Sequence, residues 1–129
     1  DKFGDITIIF TSDDLTNLIN EGFSSNKIIM KDMYTIINPK NITIYGTLTK
    51  PISSKISVEV VPKVENQKIQ FSIGKITAGK VTIPLYLVSQ ISNSFTNMLN
   101  DKFEPLYEKT QITNINLKEN KMEIIGKLK

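Results

Sequence analysis

Histidine, cysteine, tryptophan and arginine are all absent from this 129-residue chain. Each absence removes a class of chemistry. Without cysteine there is no disulfide, thiolate metal site or cysteine nucleophile, although an exported domain does not require a disulfide. Without histidine the chain lacks the usual general base near neutral pH and the commonest zinc ligand. Without arginine it lacks the forked cation best suited to phosphate and carboxylate, and all sixteen basic side chains are lysine. No run approaches the ~20 apolar residues of a membrane-spanning helix. The net charge of +3, with lysine and acid interspersed, suits solubility and does not point to nucleic acid.

What remains is a length that fits one domain, residues 1–129, with one core. Lysine, asparagine and isoleucine are abundant, a bias expected of an AT-rich bacterial genome. The first residue is Asp1, not methionine, which leaves room for an upstream signal peptide, membrane anchor or simple truncation without distinguishing them.

Periodicity gives the order β-α-β-β-β-β-α-β-β. Residues 5–10 read as a β-branched strand, and Thr11 or Ser12 can cap the helix that follows. Asp13 and Asp14 fall in its first turn, where the helix dipole favours acids. Leu15, Leu18, Ile19 and Phe23 make its apolar stripe, and Gly22, Ser24, Ser25 and Asn26 end it. In residues 28–38 the inward set switches from Ile28 and Met30 to Met33, Thr35 and Ile37, which predicts a bulge near Lys31–Asp32.

Three cleaner strands follow, with Ile42, Ile44, Gly46 and Leu48, then Ile56, Val58 and Val60, then Ile69, Phe71 and Ile73 facing inward. Turns are expected at Asn38–Asn41, Glu65-Asn66 and Ala78-Gly79-Lys80. Pro84 suits the first residue of a second helix of roughly 28 Å, ended by Glu104-Pro105. Its expected stripe is Leu85, Val88, Ile91, Phe95, Met98, Leu99 and Phe103. Two closing strands, joined at Lys118-Glu119-Asn120, are expected to bury Ile115 and Leu117, then Met122, Ile124 and Leu128.

Seven strands in one layer would span about 34 Å, whereas two helices cover about 20 Å. The apolar strand faces therefore exceed what the helices can shield. The sheet must curl, bury the excess against a second copy, or hold an apolar guest. The expected fold is α+β: a curved antiparallel sheet of about seven strands wrapped around a long amphipathic helix.

Several segments together carry a resemblance. Ile8 to Asn20, the run Ile42-Thr43-Ile44-Tyr45-Gly46-Thr47-Leu48, and the approach to the second helix from Ile73 through Pro84-Leu85 resemble the YpmS-like family of Gram-positive envelope proteins. The closing pair, Ile112–Leu117 and Met122–Gly126, resembles the final hairpin of bacterial lipoproteins related to tubular lipid-binding (TULIP) domains. The resemblance covers nearly the whole chain, through short and mostly structural motifs. The residue spacing from 50 to 54 and the segment after the second helix depart from it. It implies a TULIP-like half-barrel, extracytoplasmic at the cell surface, membrane-anchored through an upstream segment, with lipid held between helix and sheet.

Catalytic and metal sites fare poorly. Asp13 and Asp14 suit helix-start electrostatics better than a metal, and Asp32 suits a bulge with its carboxylate in water. A Ser-Lys dyad is not favoured as a source of base catalysis, and no Gly-rich phosphate loop is present. No enzyme, cofactor or metal is expected. The candidate ligand-lining residues are Leu85, Val88, Ile91, Phe95, Met98 and Leu99 on the helix, with Phe71 and Ile73 on the sheet. Most of these suit a plain core equally well. The leading expectation is a module binding a lipid or other apolar small molecule. The alternative is a protein–protein interaction or assembly domain of an envelope or sporulation complex, as a homodimer or with an envelope partner. An outward apolar patch of Ile9, Val61 and Ile125 would fit it.

Overall fold

The computed structural model describes residues 4–25, 27–79 and 81–129. Asp1, Asn26 and Lys80, used above as a chain start, a helix end and a turn, lie outside the described residues. The elements are β1 (Asp5–Thr11), α1 (Ser12–Gly22), β2 (Ile29–Ile37), β3 (Ile42–Lys50), β4 (Ser54–Glu65), β5 (Lys68–Ala78), α2 (Leu85–Phe103), a 3-10 turn (Glu104–Glu108), β6 (Thr110–Lys118) and β7 (Lys121–Leu128). This is the expected order in an α+β fold.

The strands are antiparallel, but they form two sheets instead of one. Their orders are β1-β7-β6 and β2-β3-β4-β5, and the described strands do not close into a barrel. The expected single sheet fails because its joining edges are occupied by side chains. Ser12, Thr16 and Asn20 lie four apart on α1 and face the free edge of β2. Ile37 N–H donates to Ser12 Oγ, Thr35 N–H donates to Thr16 Oγ1, and Asn20 Nδ2 donates to the Met33 carbonyl. On β5, the Tyr107 hydroxyl accepts from Ile69 N–H at 3.0 Å and donates to the Ile69 carbonyl at 3.3 Å. Covered edges cannot recruit another strand.

The two sheets are stitched at one end. Ile112 N–H donates to the Gln67 carbonyl at the β4–β5 turn, and Asn120 N–H donates to the Ile37 carbonyl at the end of β2. We call this the closed end. At the opposite end, the rim, lie the start of β2, the β3–β4 turn and the chain leading into α2, where Gly79 N–H donates to the Lys55 carbonyl. The second helix starts at the rim. It runs to Phe103, whose ring meets Phe10 and Phe71 with centroids 5.1 and 5.0 Å away.

Local chemistry sets the elements. Thr11 caps α1 with a full capping box: Asp14 N–H donates to Thr11 Oγ1, and Thr11 N–H donates to Asp14 Oδ2. The register of β2 against β3 shifts between Lys31 and Tyr34, with Asp32 at φ 54°, so the expected bulge is present and Asp32 is exposed. Asn66 and Gln67 both take positive φ, placing the hairpin turn one residue later than Glu65-Asn66.

Some expectations are adjusted. On β6, a bulge between Ile112 and Asn114 puts Ile115 and Leu117 on the same inner face as buried Ile112, opposite Ile124 and Met122, where they pack against the core but are only half-buried. Leu128 is exposed at the end of β7. Pro84 is the N-cap of α2, not its first residue.

Candidate binding site

The eight residues expected to line a seam do not share one environment. Ile91, Phe95, Met98, Leu99 and Phe71 are buried in the core, in contact with the other helix and sheet residues. Val88 and Ile73 are half-buried. Leu85 is corrected: it is 85 % exposed, and Leu87 takes the inward position in its place. The inward series Leu87, Ile91, Phe95, Met98, Leu99, Phe103 is a continuous i, i+4 stripe whose phase excludes Leu85. Phe95 also packs on Phe23 at 4.9 Å, tying α2 to the end of α1. Side chains fill the space between α2 and the larger sheet at these positions.

The outer face of the larger sheet is different. Tyr34 on β2 lies opposite Tyr45 on β3, and their rings stack with centroids 5.0 Å apart and planes 16° from parallel. Tyr34 is exposed, as are Ile29 and Ile36 on the same strand. Beside the tyrosines is a pocket of about 300 Å³ lined by Asp32, Tyr34, Tyr45, Gly46, Thr47, Lys55 and Ile56. A shallower hollow of about 210 Å³ continues it past Tyr45 and Lys55 to Ser57, Thr77 and Gly79. The β2 bulge explains the opening, since the extra residue bends the strand away from β3 and re-aims Asp32. Aromatic faces, hydroxyls and one charge of each sign give a surface suited to a partner with both apolar and polar groups.

Among the described residues, no group of three or more acids could hold a metal ion. Among the described residues, the one side chain with a clearly shifted pKa is Tyr107. Burial pushes its hydroxyl above the ordinary phenol range and the nearby Glu104 carboxylate adds to this, while the bond to the Ile69 backbone pulls the other way. Its two bonds to Ile69 make it a structural pin on the edge of β5.

Sequence reading missed Tyr34, Tyr45, Thr47 and Lys55. A signal was available for the first two. Tyr34 and Tyr45 are symmetric about the Asn38–Asn41 turn, as are Ile37 and Ile42, so hairpin register alone places them side by side. Of the outward patch expected from Ile9, Val61 and Ile125, Ile9 is exposed and the other two are half-buried.

Comparison with family models and with curated proteins finds no match to this chain.

Proposed function

We propose that this chain is a non-catalytic interaction and assembly module of a bacterial cell-envelope complex, binding a protein partner through the outer face of β2 and β3. The observation that carries this reading is exposed Tyr34 stacked on half-buried Tyr45 beside a formed pocket, on a sheet whose inner face is already filled. Aromatic side chains fixed on a rigid sheet suit an interface, because little side-chain entropy remains to be lost on binding. The envelope setting rests on the resemblance to YpmS-like proteins.

Site-specific photo-crosslinking in cells tests the reading. A photoreactive residue at Tyr34 or Thr47 should give a discrete adduct, to a second copy or to another envelope protein, and a Tyr45→Ser change should weaken it. The reading fails if those positions give no more adduct than Thr113 on the smaller sheet.

A second reading keeps the TULIP-like half-barrel, with a lipid or other apolar ligand between α2 and the larger sheet. Half-buried Ile73, Ile76, Ile83 and Val88 favour it, since they flank the start of α2 without being sealed in the core. Native mass spectrometry after exposure to lipid extract should then show a bound mass, and a clean apo spectrum would remove this reading.

A further inference from the structure

The rim differs from the rest of the surface in both polarity and charge. Leu85 is 85 % exposed and Tyr86 is 61 % exposed at the start of α2. Val81 on the preceding loop and Ile29 at the start of β2 are close to half exposed, while Ile52 and Ile83 are half-buried. These six residues come from three chain segments that the fold gathers at one end of the larger sheet.

Acids are missing from those segments. No Asp or Glu occurs between Glu21 and Asp32, between Asp32 and Glu59, or between Glu65 and Asp101. Lys27, Lys50 and Lys55 are exposed there, on the loop before β2 and on either side of the β3–β4 turn. The ion pairs Lys68–Glu104, Lys118–Glu123 and Lys121–Glu123 belong to the closed end, as do Asp13, Asp14, Glu65, Glu108 and Glu119. The molecule therefore carries an apolar tip in which lysine predominates, with Asp32 beside Lys55, and an acid-bearing base.

We propose that the rim docks on the surface of an anionic phospholipid bilayer, with Leu85, Tyr86, Val81 and Ile29 entering the interfacial layer and Lys27, Lys50 and Lys55 lying against the headgroups. Apolar side chains projecting from a tip can leave water without the fold opening, and a tyrosine suits the boundary between headgroup and acyl chain. Lysines around them add attraction to a negative surface that decays within a Debye length. The same charges disfavour a second copy as occupant, because two rims facing each other would set lysine against lysine. This surface adjoins the Tyr34–Tyr45 face through Lys55, which also lines that pocket, whereas Leu85, Tyr86 and Val81 are not part of its lining.

Co-sedimentation of the purified chain with vesicles tests the proposal. Vesicles of phosphatidylcholine mixed with phosphatidylglycerol should retain the protein, those of phosphatidylcholine alone should not, and added salt should release it. The double change Leu85→Ser, Tyr86→Ser should weaken retention about tenfold or more, as should Gln in place of Lys27, Lys50 and Lys55 together. Tyr34→Ser should leave retention unchanged, which separates this proposal from the partner-binding reading. A Tyr86→Trp variant reports directly, since its emission should shift to the blue on mixed vesicles and be quenched by brominated lipid. No retention on mixed vesicles, retention indifferent to the rim changes, or equal binding to soluble polyglutamate would each overturn the proposal, the last by pointing to an acidic protein.

Discussion

The two ends of this molecule are built on opposite plans. At the closed end, Phe103 is locked between Phe10 and Phe71, the two sheets are joined through backbone hydrogen bonds, and both signs of charge occur with some ion pairs between them. At the rim, large apolar side chains face water and lysine predominates among the charges. Burial and pairing at the closed end fix the fold, leaving the rim residues free of any structural duty. The contrast teaches that stability and recognition are separated along the long axis, so changes at the two ends should affect different measurements.

The sharpest way to break this division is Phe103→Ala. Removing a ring buried against two others should lower unfolding free energy by ~3–5 kcal/mol in a denaturant titration. Next comes Gly126→Ala on β7. Its Cβ would lie 2.6 Å from the Gln111 carbonyl oxygen and 2.8 Å from Thr110 Cγ2, so the β6–β7 backbone must shift, at ~1–3 kcal/mol by the same measurement.

Tyr107→Phe should cost about 1–2 kcal/mol by leaving the Ile69 N–H without its partner. It also has a pH signature. The folded protein keeps the Tyr107 proton to a higher pH than the unfolded chain does, because burial raises its pKa from 10.0. That contribution is intact below pH 10.0 and is lost as pH rises through the raised value, so stability should fall less steeply in alkali for the Phe variant than for the parent.

Thr16→Val removes the acceptor for Thr35 N–H at the β2 edge, at about 1 kcal/mol, and amide exchange at Thr35 should quicken. The smallest effect belongs to the rim: Leu85→Ser should change stability by less than ~0.5 kcal/mol. A loss comparable to that of Phe103→Ala would erase the distinction between the two ends.

Much of this division was legible before any coordinates. Strict alternation in Ile42–Leu48 and Ile56–Val60 identified the inward faces correctly, because a half-wet antiparallel strand forces period two. The bulge at Asp32 was legible for the same reason, as a break in that alternation. Ile115 and Leu117 face inward as their spacing implies, but on β6, an outer strand of its sheet, they are only half-buried, and the bulge at Thr113 that brings Ile112 onto the same face falls in a run of Thr and Asn with no apolar pattern to reveal it. Leu85 misled because a stripe can be phased from either end of a helix, and only packing selects Leu87. The separation into two sheets was not legible. It depends on polar side chains of α1 and on Tyr107 meeting backbone groups far away in sequence, which no local period encodes. The tyrosine pair was legible in principle from hairpin symmetry, whereas the rim needed three distant segments to be placed together.

The contact between α1 and β2 also behaves like a vernier. Four helical residues advance about 6.0 Å and two strand residues about 6.7 Å, so rungs at Ser12, Thr16 and Asn20 nearly match Ile37, Thr35 and Met33 but drift by ~0.7 Å per step. After three rungs the accumulated offset is half the length of a hydrogen bond. The helix stops two residues later and β2 bulges next to the last rung, so lengthening α1 by another turn would gain no fourth rung.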